Sequence, residues 1–228
     1  MDNSYYLIID TSTKNGLVGI YAEGEIKRTY AWNSKNNHTA ELMPAIKMMM
    51  DFEGIGISSF QGIVVTVGPG GFSAIRTGLA VGKGLALGAS LPIVGVNSLE
   101  TSAYSNRFLR KYICSVIPAG RENVAWCTYT VDSLGWHSVT QEKITKISEF
   151  VTSHISIDDI CFCGEGFTRD ILQQLEAHYQ TKICYIDEIS VLARLNGAIS
   201  IGLQKLKGYS KESSEEIQPI YLRPPSIT

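Results

Sequence analysis

The sequence predicts a mixed α/β protein in two halves, each opening with an antiparallel meander and continuing with helices that alternate with short strands. Three observations predict it. The runs "YYLIID", "LVGIY" and "EIKRTYAW" are rich in apolar, β-branched and aromatic residues and are separated by the turn-forming stretches "TSTKNG" and "AEGE". From residue 39 onward, segments with apolar residues at helical spacing alternate with buried-strand runs such as "GIVVTV" and "LPIVGV". The order then restarts, because "KYICSVIPAGRENVAWCTYTVDSLGWHSVT" reads as a strand, a turn and further strands.

The first strand ends in Asp10, followed by Thr11, Ser12 and Thr13. A carboxylate with hydroxyls at a strand end suits Mg²⁺ held through water beside a nucleotide. On its own the stretch better suits an Asx or ST turn before a hairpin. The hairpin turn falls inside "AEGE". After the loop "NSKNNH", a helix is expected over 39–52, with Thr39 as N-cap and Glu41 in the first turn, where the helix dipole favours an anion. Pro44 lies near the start, where a missing N–H costs least. Leu42, Ile46 and Met49, with Met50 or Phe52, recur at helical spacing. The Met48–Met50 run places apolar groups on more than one face. That fits a fully buried helix, or one whose face meets a partner, since flexible methionines suit such surfaces.

The strand in "GISSFQGIVVTV" stops at Gly68-Pro69-Gly70-Gly71, and a helix follows over 73–89. Backbone N–H groups at a helix start make an anion site, so Gly68, Gly70 and Gly71 read as a phosphate cradle or as a plain strand-to-helix turn. The loop is neither a Walker A motif nor G-x-G-x-x-G. Ile75, Leu79 and Gly82 line one side of the helix. Its glycines, Gly78, Gly82, Gly84 and Gly88, each cost roughly 1 kcal/mol relative to Ala. Close approach of another helix or strand would compensate. "LPIVGV" is the next strand, and "SLETSAYSNRFL" a helix with Ser98 as N-cap. In the second half, "ISEFVTSHI" is a short helix, and "DDICFCGEGFTRDILQQLEAH" a strand, a turn at Gly164 and Gly166, and a helix. "TKICYID" reads as a strand, "EISVLARLNGAISIGLQKL" as a helix, "KGYSKESSEE" as a polar linker and "IQPIYLRPPSIT" as an extended tail.

Composition narrows the function classes. With 228 residues the chain makes one large domain or two smaller ones with proper cores. A net charge of −2 without a long basic run disfavours strong nucleic-acid binding by this chain alone. No apolar stretch reaches membrane length, and "MDNSYYLIID" lacks a charged segment before a long apolar one, so a cytoplasmic protein with no membrane contact is expected. The five cysteines contain no C-x-x-C and lie mostly in apolar runs, as buried free thiols of a reducing compartment do. Among His38, His137, His154 and His178 no two stand at i, i+4, so no metal site is expected from this chain alone. No G-x-S-x-G elbow and no convincing nucleophile–base couple appear, and no catalytic residue is assigned.

Three stretches together, "LIIDTSTKNGLVGIY", "VTVGPGGFSAIRTGLAVGKGLALGASLPIVGVNSLE" and "IQPIYLRPP", closely resemble the bacterial tRNA threonylcarbamoyladenosine biosynthesis protein TsaB (YeaZ) family. "GPGGFSAIRTGLA" stands close to that family's G-P-G-S-F-T-G-L-R-I-G-L-A, while residues 103–210 match more loosely. The resemblance implies an actin-like ATPase (ribonuclease H-like) duplicated fold with two β-meander-plus-helices subdomains. These would be residues 1–102, with the tail 211–228 packing back on them, and residues 103–210. It implies a supporting subunit without catalysis of its own, in a complex with a TsaD-like catalytic subunit and a TsaE-like ATPase. That complex attaches a threonylcarbamoyl group to N6 of adenosine 37 in tRNAs reading ANN codons. The tRNA would be met mainly through the complex, a second copy of the chain is an alternative partner, and ATP or ADP would be held only within the assembly. In the family the helices matching 39–52 and 73–89 form the dimer surface, which points to Leu42, Ile46, Met49, Met50, Ile75, Gly78, Leu79 and Gly82 as the interface. Asp10, Thr11, Ser12, Gly68, Gly70 and Gly71 are the weaker nucleotide or anion candidates.

The catalytic relative binds its metal through an H-x-E-x-H-like motif, and "VNSLETS" is the matching stretch here. Ser98 and Ser102 stand in place of both histidines, and Glu100 alone does not hold an ion. The family's Asp-Ala-Arg stretch in the second half is "IPAGREN" here, with Pro118 in place of the acid. Both departures weigh against the competing expectations, an autonomous actin-fold small-molecule kinase or ATPase, and a metalloprotease.

Overall fold

The computed structural model describes residues 4–35, 37–120, 122–153, 157–186, 191–209 and 217–222. Contacts divide the chain into two units, Met1–Ser98 with Leu195–Ile220, and Leu99–Arg194 with Tyr221–Thr228.

The first unit is a five-stranded sheet built from β1 (Tyr5–Asp10), β2 (Asn15–Ala22), β3 (Glu25–Asn33), β4 (Phe60–Gly68) and β5 (Ile93–Asn97), in the order β3-β2-β1-β4-β5. Tight turns can join only antiparallel neighbours, so β1, β2 and β3 form the meander. The β2–β3 turn sets Glu23 and Gly24 at φ 54° and 82°, the doubly positive turn whose twist matches the flanking strands. Helices α1 (His38–Glu53) and α2 (Phe72–Ala89) are the crossovers that bring β4 and β5 in parallel. Alternation along the strands sends Leu7, Ile9, Val18, Ile20, Ile63 and Val65 into one core with Leu42, Ile46, Met49, Ile75 and Leu79 of the two helices. The other face meets α6 (Val191–Lys207). Here the strands offer glycines to leucines: a Cβ on Gly19 would lie 2.5 Å from Leu195 Cδ1, and one on Gly62 would lie 2.9 Å from Leu206 Cδ1. Covering on both faces explains why β4 is buried at every position but Gln61. Of the C-terminal tail, Ile217 and Ile220 pack on this first core, and Ile220 N donates to Val67 O at 2.7 Å.

The second unit repeats the scheme with β6 (Tyr112–Pro118), β7 (Asn123–Asp132), β8 (Gly135–Ser138), β10 (Ile160–Cys163) and β11 (Cys184–Tyr185), in the order β11-β10-β6-β7-β8. Here β6 and β7 are antiparallel, and β10 and β11 run parallel to β6. The place taken by β3 in the first unit is divided, with β8 pairing one end of β7 and β9 (Lys143–Lys146) the other. At the break a side chain replaces the ladder, as Thr128 N donates to Thr140 Oγ1 at 2.9 Å. Helices α4 (Ile147–Thr152) and α5 (Arg169–Tyr179) cover one face through Phe150, Ile171 and Leu175, against Trp126 and Phe162. Leu99 and Ala103 of α3 (Ser98–Tyr104) join Ile113, Ile117, Cys161 and Cys163 on the other.

Local expectations needed correction at four points. Helix α1 begins at His38 with Asn37 as N-cap, and Thr39 is helical, its hydroxyl 3.4 Å from that of Thr77. Pro44 lies in the second turn rather than at the start. Ser98 is the first residue of α3. The strand expected across "TKICYID" is reduced to Cys184–Tyr185. His154, most of the expected linker over 207–216, and residues 223–228 of the tail lie outside the described residues.

Candidate functional site

Strand β1 delivers Asp10 to the foot of the glycine loop, where it is 1% exposed. Its Oδ1 accepts from Ser12 N at 2.9 Å, Ser12 Oγ at 2.6 Å and Thr66 Oγ1 at 2.8 Å. This is the Asx turn, with Thr66 of β4 locking it from the next strand, a partner that sequence spacing does not reveal. Thr11 turns the other way and donates to Ala74 O at 2.6 Å. The two loops are interlocked: Gly71 N donates to Ser12 O at 2.9 Å, and a Cβ on Gly70 would sit 2.1 Å from that same oxygen. Gly68 has φ 108° and precedes a cis Pro69, whose carbonyl accepts a hydrogen bond from Ser98 Oγ. The structure thus brings together all six predicted anion-site residues. It joins them to one another, with the Gly71 N–H and Asp10 Oδ1 already engaged.

The second glycine junction closes in a similar way. Gly164 has φ 96°, Gly166 N donates to Val116 O at 2.9 Å, and a Cβ on Gly166 would lie 2.5 Å from the Ile117 carbonyl carbon. Both glycines serve close backbone approach. Pro118 ends β6 exposed, and Ala119 N donates to Asn123 O at 3.0 Å across a tight turn. Beside this junction lies a feature without a local sequence signal, the buried ion pair of Glu165 and Arg194, 29 residues apart. Ser98 and Ser102 are buried in α3. Among the described residues, no three His, Cys, Asp or Glu side chains are grouped to hold a metal ion.

His38 is more embedded than its loop context suggests. It is 6% exposed, its Nε2 lies 3.1 Å from Thr13 O, and its ring packs edge-on to Trp32. Trp32 Nε1 in turn donates to Glu41 at 2.9 Å, so α1, β3 and the Asp10 loop are tied by one polar chain. All five cysteines are free thiols. Burial raises Cys114 and Cys127, and pushes Cys163 up to about 12, which keeps them protonated and unreactive.

The residues expected at a partner interface face inward. Leu42, Ile46, Met49, Ile75 and Leu79 are buried in the first core, Met50 packs partly against it, and Gly78 and Gly82 are buried. A Cβ on Gly78 would lie 2.5 Å from Thr11 Oγ1, and one on Gly82 would lie 3.3 Å from Ile93 Cδ1. Their small size therefore serves packing inside the unit. What α1 and α2 present outward is a different set: Met43 (43% exposed), Phe52 (72%) and Leu87 (84%). Gly84 and Gly88 have nothing within 4 Å of a built Cβ. On α1 a groove of about 550 Å³ is lined by Pro44, Lys47, Met48, Asp51 and Phe52. Among the described residues no helix is long and apolar enough to cross a membrane.

The model of the TsaD family, tRNA N6-adenosine threonylcarbamoyltransferase, matches residues 32–191. The chain is 31% identical over 98% of its length to the tRNA threonylcarbamoyladenosine biosynthesis protein TsaB of Haemophilus influenzae, covering 95% of that protein. To TsaB of Escherichia coli it is 30% identical, over 61% of this chain and 62% of that one. Among solved structures, YeaZ from Pseudomonas aeruginosa matches with a TM-score of 0.74 at 19% identity, over 96% of this chain and 100% of that one. The ROK hexokinase from Thermus thermophilus matches with a TM-score of 0.54 at 9% identity, over 89% and 99%. At such identities these two likenesses speak for the fold, the duplicated actin-like architecture.

Proposed function

The chain belongs to the TsaB (YeaZ) family, and on that premise we propose that it acts in tRNA threonylcarbamoyladenosine biosynthesis as a supporting, non-catalytic subunit. The observation that carries this reading is the similarity to a TsaB protein across nearly the whole of both chains. It works with a TsaD-like catalytic subunit, in an assembly that also takes a TsaE-like ATPase and transfers the threonylcarbamoyl group to N6 of adenosine 37. On this reading it acts in the cytoplasm. The absence of catalysis is supported by the site's own chemistry. The family resemblance sets Ser98 and Ser102 where the catalytic relative carries its metal-binding histidines, and Asp10 Oδ1 accepts from Ser12 and Thr66. ATP or ADP is accordingly assigned to the assembled complex rather than to this chain alone.

The catalytic subunit docks on the outward faces of α1 and α2, around Met43, Phe52 and Leu87, with the buried set as the support beneath. Phe52→Asp and Leu87→Asp change exposed side chains and leave the core intact, so they test docking without unfolding the chain. Each is expected to abolish co-elution with the catalytic subunit in size-exclusion chromatography and to remove the chain's stimulation of tRNA modification. Co-elution that survives both changes overturns the docking face. Substantial ATP turnover by the isolated chain overturns the non-catalytic role and favours a kinase or ATPase. A 2:0 species that persists when the catalytic subunit is added identifies the face as a homodimer surface instead.

A further inference from the structure

Between Glu100 and Glu122 the chain has no acidic residue, yet it carries Arg107, Arg110, Lys111 and Arg121. Three of the four fall in "RFLRK", residues 107–111, a short local concentration on a chain whose net charge is −2. The segment is a built turn. Asn106 N donates to Ala103 O at 2.9 Å, Arg107 N to Tyr104 O at 3.3 Å and Leu109 N to Asn106 O at 3.0 Å. The Arg107 guanidinium is fixed by Nη1 donating to Tyr104 O at 2.9 Å. Its central carbon stands 4.1 Å from the Tyr104 ring centroid and 4.5 Å from that of Phe108. Phe108 is 76% exposed, and Arg110 and Lys111 are exposed beside it. Among the described residues, no carboxylate forms an ion pair with Arg107, Arg110 or Lys111.

We propose that the 107–111 turn is an RNA contact, in which an unstacked base lies on the open surface of the Phe108 ring while Arg110 and Lys111 take the flanking phosphates. The proposal rests on the reading that this chain serves tRNA modification. Stacked guanidinium and aromatic planes are the platform on which single-stranded bases are held, because every base has a π face. An acidic peptide would engage the cations and leave the exposed ring without a use. A membrane surface would need more apolar area than Phe108 and Leu109 provide. The basic charge that overall composition hides is local, and a local cluster is what a single tRNA loop requires.

The test uses the purified full chain and a fluorescein-labelled unmodified tRNA transcript, with anisotropy read between 50 and 200 mM salt. Phe108→Ala is expected to weaken binding about five- to hundredfold, the range for loss of one stacked base. Arg110→Gln with Lys111→Gln is expected to reduce the slope of log K against log salt by about 1.4, two phosphate contacts on a single strand. Phe108→Trp is expected to keep affinity and add emission that tRNA quenches, above the signal of the three native tryptophans. Leu134→Ala, at an 84% exposed residue on the β7–β8 turn, leaves affinity unchanged. Equal melting temperatures of the four variants exclude unfolding as the cause. Affinity that is unchanged in both loop variants, or absent in the unaltered chain, overturns the proposal. So does capture by anionic phospholipid vesicles that Phe108→Ala abolishes while tRNA affinity is kept, which would make the turn a membrane contact. Modification assays with the catalytic subunit separate the two levels. A stimulating chain with an inert loop sinks the loop alone, whereas an unaltered chain that never stimulates sinks the family-based reading.

Discussion

The two sheets share one strand order, yet the loops that close them differ in what they hold. In the first unit the strand-to-helix glycines meet the loop after β1, where Asp10 gathers three donors. In the second, Gly164 and Gly166 meet β6 itself, whose last residue is an exposed proline without a carboxylate or a donor. The cores diverge in parallel. The first is aliphatic, with leucine, isoleucine and valine between sheet and helices, and the second turns on Trp126, Phe150 and Phe162. Trp126 and Phe150 stack edge-on at 5.4 Å, and Phe150 and Phe162 at 5.9 Å. The two units thus share the backbone's close approaches and differ in the polar cluster, since backbone packing depends only on the absence of a side chain.

The sharpest way to break this account is at the glycines. Gly70→Ala puts a Cβ 2.1 Å from the Ser12 carbonyl oxygen, and Gly166→Ala puts one 2.5 Å from the Ile117 carbonyl carbon. Backbone cannot rotate away as a side chain can, so each is expected to destabilise its unit by about 3 kcal/mol or more in urea unfolding. Gly71→Ala is the control. Its φ is −62° and its nearest new contact is an ordinary 3.4 Å, so it should change stability by less than ~1 kcal/mol. If Gly70→Ala unfolds at the same urea concentration as Gly71→Ala, close backbone approach is not why the loop is glycine-rich.

Next in size is Asp10. Asp10→Ala leaves Ser12 N–H and the Ser12 and Thr66 hydroxyls without their acceptor in a buried place, with an expected loss of about 3 kcal/mol. At the end of β6, Pro118→Ala changes an exposed residue and should stay within about 0.5 kcal/mol. Equal effects would erase the distinction between the two strand ends.

Much of this was legible. The meander, both crossover helices and the restart at residue 112 follow from turn residues and hydrophobic period, which are local signals. The residues expected at the interface pack inside the chain's own first unit. Leu42, Ile46, Met49, Gly78 and Gly82 have the pattern of a packed helix face, and period alone does not say whether the packing partner is the chain's own sheet or another protein. Thr66 as the lock on Asp10, and Arg194 as the partner of Glu165, are separated by 56 and 29 residues and have no spacing to betray them.

A smaller effect separates the two units by pH. Burial holds the Cys163 thiol up to about 12, against an ordinary value of 9.0. The folded state therefore keeps a proton that the unfolded chain gives up. The stabilisation is complete below pH 9 and is lost as pH rises from 9 towards 12. At pH 10 the loss is about 1.4 kcal/mol for this thiol. Cys163→Ala should flatten the fall in urea stability between pH 8 and pH 10 by that amount. The first core contains no cysteine, so an equal flattening on substituting one of its residues, such as Ile63→Val, would show that the fall has another cause.

The smallest expected effect bears on why α2 tolerates glycines that its own unit does not need. Gly78 and Gly82 answer to Thr11 and Ile93, but Gly84 has nothing within 4 Å of a built Cβ and is exposed. Within the isolated chain it only weakens the helix. Gly84→Ala is therefore expected to raise the stability of the free chain by up to about 1 kcal/mol. If the outward face of α2 is where another helix comes close, the same methyl group should weaken binding to the catalytic subunit, measured by calorimetry, even as it stabilises the free protein. A gain in stability with unchanged affinity would mean that Gly84 is not kept for docking, and the contact would then have to be sought along α1, at Met43 and Phe52.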